Sequence, residues 1–309
     1  MTSQRDVLIS SIYTIAKRDS NVFFVTVDFG APSLDIFRET LPNQFIHAGI
    51  SEQNAIDLAA GLSLSGNKVF VYGMAPFISL RCLEQIKTSL CQMKLPVSII
   101  SVGVGLGYAD SGPTHYATED LGALRSLVNI EIYDISSSRM SEVAAAELCR
   151  NEGGCPRFLR LDREILSEPH DNFNASDWRK GYKFINQVNS PVLVVASGKS
   201  LAIARSALDS LSFSFDCVDL FRRKPLPPSF ANSLESYEKV IFLDEQTTDS
   251  CSFGHLLQGL HMIDPMLLKS KAFVTLDLGE RYFYENGGRQ YLHDLVRFNS
   301  TELVRKVLS

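Results

Sequence analysis

Short apolar runs ending in glycine or aspartate recur along this chain, each followed by a segment of helical spacing. Residues 22–27 (VFFVTV) run into Asp28-Phe29-Gly30, residues 68–72 (KVFVY) into Gly73-Met74, and residues 97–102 (VSIISV) into Gly103. Continuous runs of this length suit strands covered on both faces rather than strands with one wet side. Helical spacing falls between them at 5–18, 33–41, 78–90, 119–127 and 141–151, and further short strands are expected at 45–47, 131–133 and 157–161. Connections of this kind are right-handed and build a parallel sheet with helices on both faces. A polar stretch, 168–190, carries His170 and the single tryptophan, Trp178, and reads as a linker or strap. Beyond it the pattern restarts, with strands at 192–195, 215–220, 239–243 and 272–276 and helices at 201–211, 251–260 and 303–308. The expected class is α/β, with two doubly wound domains at 1–175 and 190–309, the second smaller.

A length of 309 residues accommodates two such domains. The net charge of -5, with no basic run, argues against nucleic-acid binding. None of the 6 cysteines falls in a CxxC pair, which fits reduced thiols. The opening MTSQRDVLIS lacks the apolar run of a signal peptide, and no apolar stretch is long enough to span a membrane, so a cytoplasmic location is expected.

One stretch carries both structure and chemistry: residues 45–66, FIHAGISEQNAIDLAAGLSLSG. A brief strand and a turn at Gly49 lead into a helix, with Ser51 as a good N-cap and Gly66 as a stop. The helix is apolar enough to be buried on most of its surface. Glu52, in its first turn, is therefore carried to the edge of the core. The ordinary account of such an acid is the helix dipole.

Two more clusters follow strands, where open α/β sheets bind ligands. Met74-Ala75-Pro76-Phe77 offers Phe77 as an aromatic wall, against the commoner fate of core packing. Residues 107–115, GYADSGPTH, end on His115, a titratable group at a strand-end loop. Gly103, Gly105 and Gly107 lack dinucleotide-fingerprint spacing, and there is no HExxH, GxSxG or Walker loop.

With these residues in order, the chain resembles the transketolase family, and more narrowly the C-terminal subunit of a split, two-chain transketolase. The matching stretches are GISEQNAIDLAAGLSLSG, MAPF, GPTHYATEDLGALRSLVNIEI and FLRLDRE, with LDEQTTDSCSFG and RYFYENGG following more weakly. The resemblance implies a pyrimidine-binding thiamine-diphosphate fold, a transketolase C-terminal domain, and transfer of a two-carbon ketol unit between sugars. Carried over residue by residue, Glu52 falls on the glutamate that hydrogen-bonds the aminopyrimidine ring and relays a proton. Phe77 falls on the aromatic packed against that ring, and Phe29 near the bulky residue that holds the cofactor bent. Asp28 and Met74, beside them at the same strand ends, go with the cofactor site. His115 falls on the histidine at the reacting carbonyl. Arg163 falls on an arginine that contacts the distal phosphate of sugar phosphates, and Ser33 is a further phosphate candidate.

Two departures concern the substrate. Ser111 stands where the family usually has the aspartate of DGxTH, with Asp110 displaced by one, and Gly103, or Ser101 if the loop carries extra residues, stands where it often has a phosphate-holding histidine. Both point away from common pentose phosphates and toward a modified sugar. The GDG motif and later asparagine that hold Mg2+ on the diphosphate do not occur in this chain. No metal site is expected here. The ligands would come from an N-terminal transketolase subunit, in an α2β2 heterotetramer. The alternative with the same layout is the β-subunit of a 2-oxo acid dehydrogenase E1 component, but the GPTH and SEQN motifs favour transketolase. A catalytically dead relative that keeps the fold is a third reading, and Glu52, Phe77 and His115 together speak against it.

Overall fold

The computed structural model describes residues 2–309 except 151–152, 171, 211–214, 252, 264, 267 and 270. Its strands, in chain order, are Val22–Thr26 (β1), Phe45–His47 (β2), Lys68–Met74 (β3), Ser98–Val102 (β4), Glu131–Ile135 (β5), Arg157–Leu161 (β6), Lys183–Asn186 (β7), Val192–Ala196 (β8), Asp216–Asp219 (β9), Arg222–Lys224 (β10), Lys239–Leu243 (β11) and Ala272–Leu276 (β12). They form two sheets. A 7-stranded sheet runs β10-β5-β6-β4-β3-β1-β2, and a 5-stranded sheet runs β12-β11-β8-β9-β7. All pairs are parallel except β10 on β5 and β7 on β9. This is the two-sheet α/β architecture expected.

The apolar strands of the first sheet are buried on both faces, as their composition requires. On one face Phe24, Tyr72, Ile100 and Leu159 pack with Leu8 and Ile12 of helix Gln4–Ala16 and with Met140 and Ala144 of helix Ser138–Cys149. On the other, Val25, Val71 and Ile99 pack with Ala55, Ile56 and Ala59 of helix Glu52–Leu64. The small Ala55 and Ala59 let the helix lie close to the sheet.

Strand register sets where the loops emerge. Thr26 pairs with both His47 and Tyr72, Met74 with Val102, and Val102 with Leu161. The loops after β1, β2, β3, β4 and β6 therefore leave along one carboxyl-end edge, the usual ligand edge of such sheets.

Several expectations change. Helix Glu52–Leu64 buries one face, not most of its surface. Gln53, Asn54 and Asp57 lie outside, and Leu64 is 61% exposed. Ser51 does not cap it, because its hydroxyl donates to the Ala48 carbonyl at 2.5 Å. The expected helix at 78–90 is broken into Ala75–Ile78, Leu83–Gln85 and a wide π turn, Ile86–Cys91. The first piece stops at Ser79, whose backbone leaves the helical region (φ -101, ψ -81). Helix ends expected at Asn151 and Leu211 lie outside the described residues. The polar stretch 168–190 is a folded strap. Asn174 and Asp177 form a capping box on helix Ala175–Lys180, and Trp178 stacks on Tyr133 at 4.6 Å between centroids. Among the described residues, no helix is long and apolar enough to cross a membrane.

Candidate active site

The turn after β2 delivers Glu52. Gly49 takes φ +73, a conformation open to glycine at little cost. Glu52 then starts the helix with its side chain buried, 7% exposed, and accepts a hydrogen bond from Arg81 Nη1 at 2.8 Å. The guanidinium of Arg81 lies 4.2 Å from the centroid of the Phe77 ring. Phe77 in turn meets His115 edge-on, 5.3 Å between centroids. Nδ1 of His115 is 3.0 Å from Thr114 Oγ1. Three strand-end loops thus build one continuous line: carboxylate, guanidinium, phenyl ring, imidazole.

A second patch stands on the loops after β1, β4 and β6. Phe29, half-buried, lies 5.2 Å from the Tyr72 ring and meets Tyr108 edge-on at 6.3 Å. The Arg163 guanidinium covers Tyr108 at 4.7 Å and is paired with Asp110 at 2.7 Å. That hydrogen bond holds the Asp110 carboxyl below its ordinary range. Ser111 is exposed, its hydroxyl 3.5 Å from Asp110 Oδ1. Met74 is half-buried at the end of β3, and Asp28 is exposed, its backbone N–H bonded to Gly49 at 3.1 Å. Ser33 is engaged elsewhere, donating to Asp6 at 2.8 Å.

Gly103, at φ +86, is glycine for a steric reason. A Cβ there would fall 2.0 Å from the Tyr108 ring. No larger side chain fits without expelling Tyr108.

The segment that follows His115 leans on the loop after β11. Gln246 donates to the Ala117 carbonyl at 3.0 Å, the Thr247 N–H to Thr118 at 3.0 Å, and the Gly122 N–H to Ser250 at 2.9 Å. These residues belong to the LDEQTTDS stretch. Behind them runs an ionic seam. Arg160 reaches Asp120 and Asp134 at 2.8 and 2.5 Å, and Arg223 reaches Asp134 and Asp244 at 2.5 Å each. Arg289 holds Asp162 at 2.8 Å and also binds Glu245, which pairs with His293 at 2.5 Å.

Sequence reasoning passed over Arg81 and Tyr108. Arg81 had little signal, since it comes over Phe77 across the break at Ser79, which the spacing does not show. Tyr108 had none beyond the flanking glycines.

Fold and site together define a doubly wound α/β protein with an open ligand edge that carries a buried acid and an aromatic platform. The chain belongs to the transketolase pyrimidine-binding domain family, whose model, "Transketolase, pyrimidine binding domain", matches residues 2–168. It is 37% identical over 173 residues to one of the subunits of the apulose-4-phosphate transketolase of Phocaeicola vulgatus, covering 56% of this chain and 55% of that protein. It is 24% identical over 212 residues to a 6-deoxy-6-sulfo-D-fructose transketolase subunit of a Clostridium strain, covering 67% of this chain and 64% of that one. The matches thus span about half to two thirds of these relatives' lengths. A solved structure described as a split gene transketolase, inactive beta4 tetramer, superimposes with a TM-score of 0.80 at 22% identity, covering 100% of this chain and 98% of that one. That likeness concerns the fold.

Proposed function

We propose that this chain is the pyrimidine-binding, C-terminal subunit of a two-chain, thiamine-diphosphate-dependent transketolase that acts on a modified sugar. The observation that carries the reading is the Glu52–Phe77–His115 line at the strand ends: a buried carboxylate, a flat aromatic face and an imidazole in succession. These residues suit an aminopyrimidine, which needs an acid at its ring nitrogen and a stacking surface. When bound, thiamine diphosphate supplies the thiazolium carbon nucleophile that carries the two-carbon unit.

The protein's part is positioning and proton handling. Glu52 holds a proton at the ring nitrogen, in a place where water is excluded from its carboxyl group. Phe77 fixes the ring plane. His115, at the far edge of Phe77, donates a hydrogen bond toward the sugar carbonyl. Phe29 and Tyr108, at the ends of β1 and β4 on the same edge, are assigned to the far side of the cofactor. Among the described residues no group of acidic, histidine or cysteine side chains could hold a metal ion. The Mg2+ and diphosphate contacts are assigned to a partner subunit, within an α2β2 assembly, because the GDG motif does not occur in this chain. Relatives named for apulose 4-phosphate and for 6-deoxy-6-sulfo-D-fructose support a non-standard sugar. So do Ser111 in place of an aspartate and Tyr108 packed over Gly103. Arg163 remains the phosphate candidate, once released from Asp110.

The test is to co-express the chain with its cognate diphosphate-binding subunit and assay two-carbon transfer from a ketose panel. Glu52→Gln keeps a hydrogen bond but cannot relay the proton, and should cost two to four powers of ten in rate, roughly the worth of general acid–base catalysis. A near-normal rate in that variant, or turnover of 2-oxo acids instead of sugars, would refute the proposal.

A further inference from the structure

Arg81 is the one member of the line with no part in the chemistry above, and it sits between the two groups that the ring should touch. We propose that in the unliganded chain Arg81 occupies the ring pocket in place of the aminopyrimidine, and that cofactor entry is an exchange of one flat, conjugated group for another. The inference rests on the reading that Glu52 and Phe77 receive the ring.

The likeness is chemical. A guanidinium and an aminopyrimidine are both planar and conjugated, and the ring nitrogen presents an N–H to the carboxylate once it carries the proton it shares with Glu52. Arg81 makes both contacts at once, donating to Glu52 at 2.8 Å and lying over Phe77 at 4.2 Å. A ring on the same face of Phe77, bonded to the same carboxylate, cannot coexist with it.

Exposure gives the exchange a direction. Arg81 is 43% exposed and can swing into water, whereas Glu52 is 7% exposed and stays where it is. A buried carboxylate without a partner is costly, so Arg81 keeps Glu52 matched until a replacement arrives. The consequence is a barrier that any incoming ring must overcome.

The test uses the full chain, with thiamine as a probe that needs no metal. In the free protein the Nε–H resonance of Arg81, identified by its loss in Arg81→Ala, should be displaced by the Phe77 ring current. It should return toward the ordinary arginine position in Phe77→Leu. Thiamine should move it to the same position in the wild type. By calorimetry Arg81→Ala should bind thiamine about tenfold tighter than wild type, the combined worth of a half-exposed ion pair and a cation–π contact. Salt should shrink that gap by screening the pair, and Arg81→Lys, charged but not planar, should fall between. An undisplaced resonance in the free chain overturns the proposal. So does thiamine affinity in Arg81→Ala equal to or below that of wild type, including no binding by either. If thiamine binds but Glu52→Gln and Phe77→Leu bind it as well as wild type, the functional reading itself fails.

Discussion

Two arginine–carboxylate arrangements in this chain differ in one respect. In the seam between the two sheets Arg289, Asp162 and Glu245 are all at or below 6% exposure, and every charge has an opposite within hydrogen-bond reach. At the strand ends only the acid is buried, and its arginine stands 43% in solvent. A closed pair of this kind cannot be opened without stranding a charge. A half-open one can be traded. The same chemistry therefore serves as a fixed joint in one place and as a replaceable contact in the other.

The largest expected effect separates the two directly. Arg289→Met leaves Asp162 buried without its cation and Glu245 with His293 alone, and should cost about 3–5 kcal/mol of folding stability. Glu52→Gln should cost less than about 1 kcal/mol, since Arg81 can turn to water. Urea unfolding of both variants checks this, and similar losses would erase the distinction.

Next comes His115→Ala in the assembled enzyme. His115 touches the far edge of Phe77, so the rate should fall about a hundredfold, within the range for a positioned acid–base group, while cofactor affinity holds. Equal losses in both would move His115 into the ring pocket.

Acid sharpens the comparison further. Burial alone would raise the Glu245 carboxyl, but Arg289 and His293 outweigh it and hold it well below its ordinary range. Asp134 is buried too, and is likewise lowered by Arg160 and Arg223. Groups lowered on folding stabilise fully above their unfolded values, 4.5 and 3.8, and that contribution is lost as pH falls through the folded values. Asp219 runs the other way, because burial raises it and its ionisation works against folding at neutral pH. The urea midpoint of the wild type should therefore decline below about pH 4.5. The decline should be shallower in an Arg289→Met, Glu245→Gln double variant. An identical profile would show that the seam does not govern acid stability.

The smallest effect belongs to Arg163→Ala. Its pair with Asp110 is exposed on both sides, so stability should change by less than about 0.5 kcal/mol. The KM for a phosphorylated sugar should rise if Arg163 is the phosphate contact. A stability loss comparable to that of Arg289→Met would place this pair with the seam instead.

Much of this was legible in the residues. Apolar runs marked the buried parallel strands because such strands have no wet side, and their ends located Glu52, Phe77 and His115. Other features left no such mark. β7 and β10 are short and polar, KFIN and RRK, and they pair antiparallel at sheet borders, where one side needs no apolar cover. In the 78–90 segment the spacing showed which residues face inward (Ile78, Ile86, Leu90 are buried). It did not show how the backbone winds to put them there. Arg81 was missed for a related reason. A lone charge in an apolar segment reads as a surface residue, and Arg81 is half that, with its head group turned inward.

β10 has a consequence for how this protein can be divided. It completes the first sheet, yet in the chain it follows β7, β8 and β9, which belong to the second. A fragment ending at residue 190 would leave β5 as a bare border, its N–H and C=O groups open to pairing with another copy, the usual seed of aggregation. A fragment ending after Lys224 would carry three strands torn from the other sheet. No single cut releases either half whole, so recombination between relatives must exchange both domains together or mend the border strand separately.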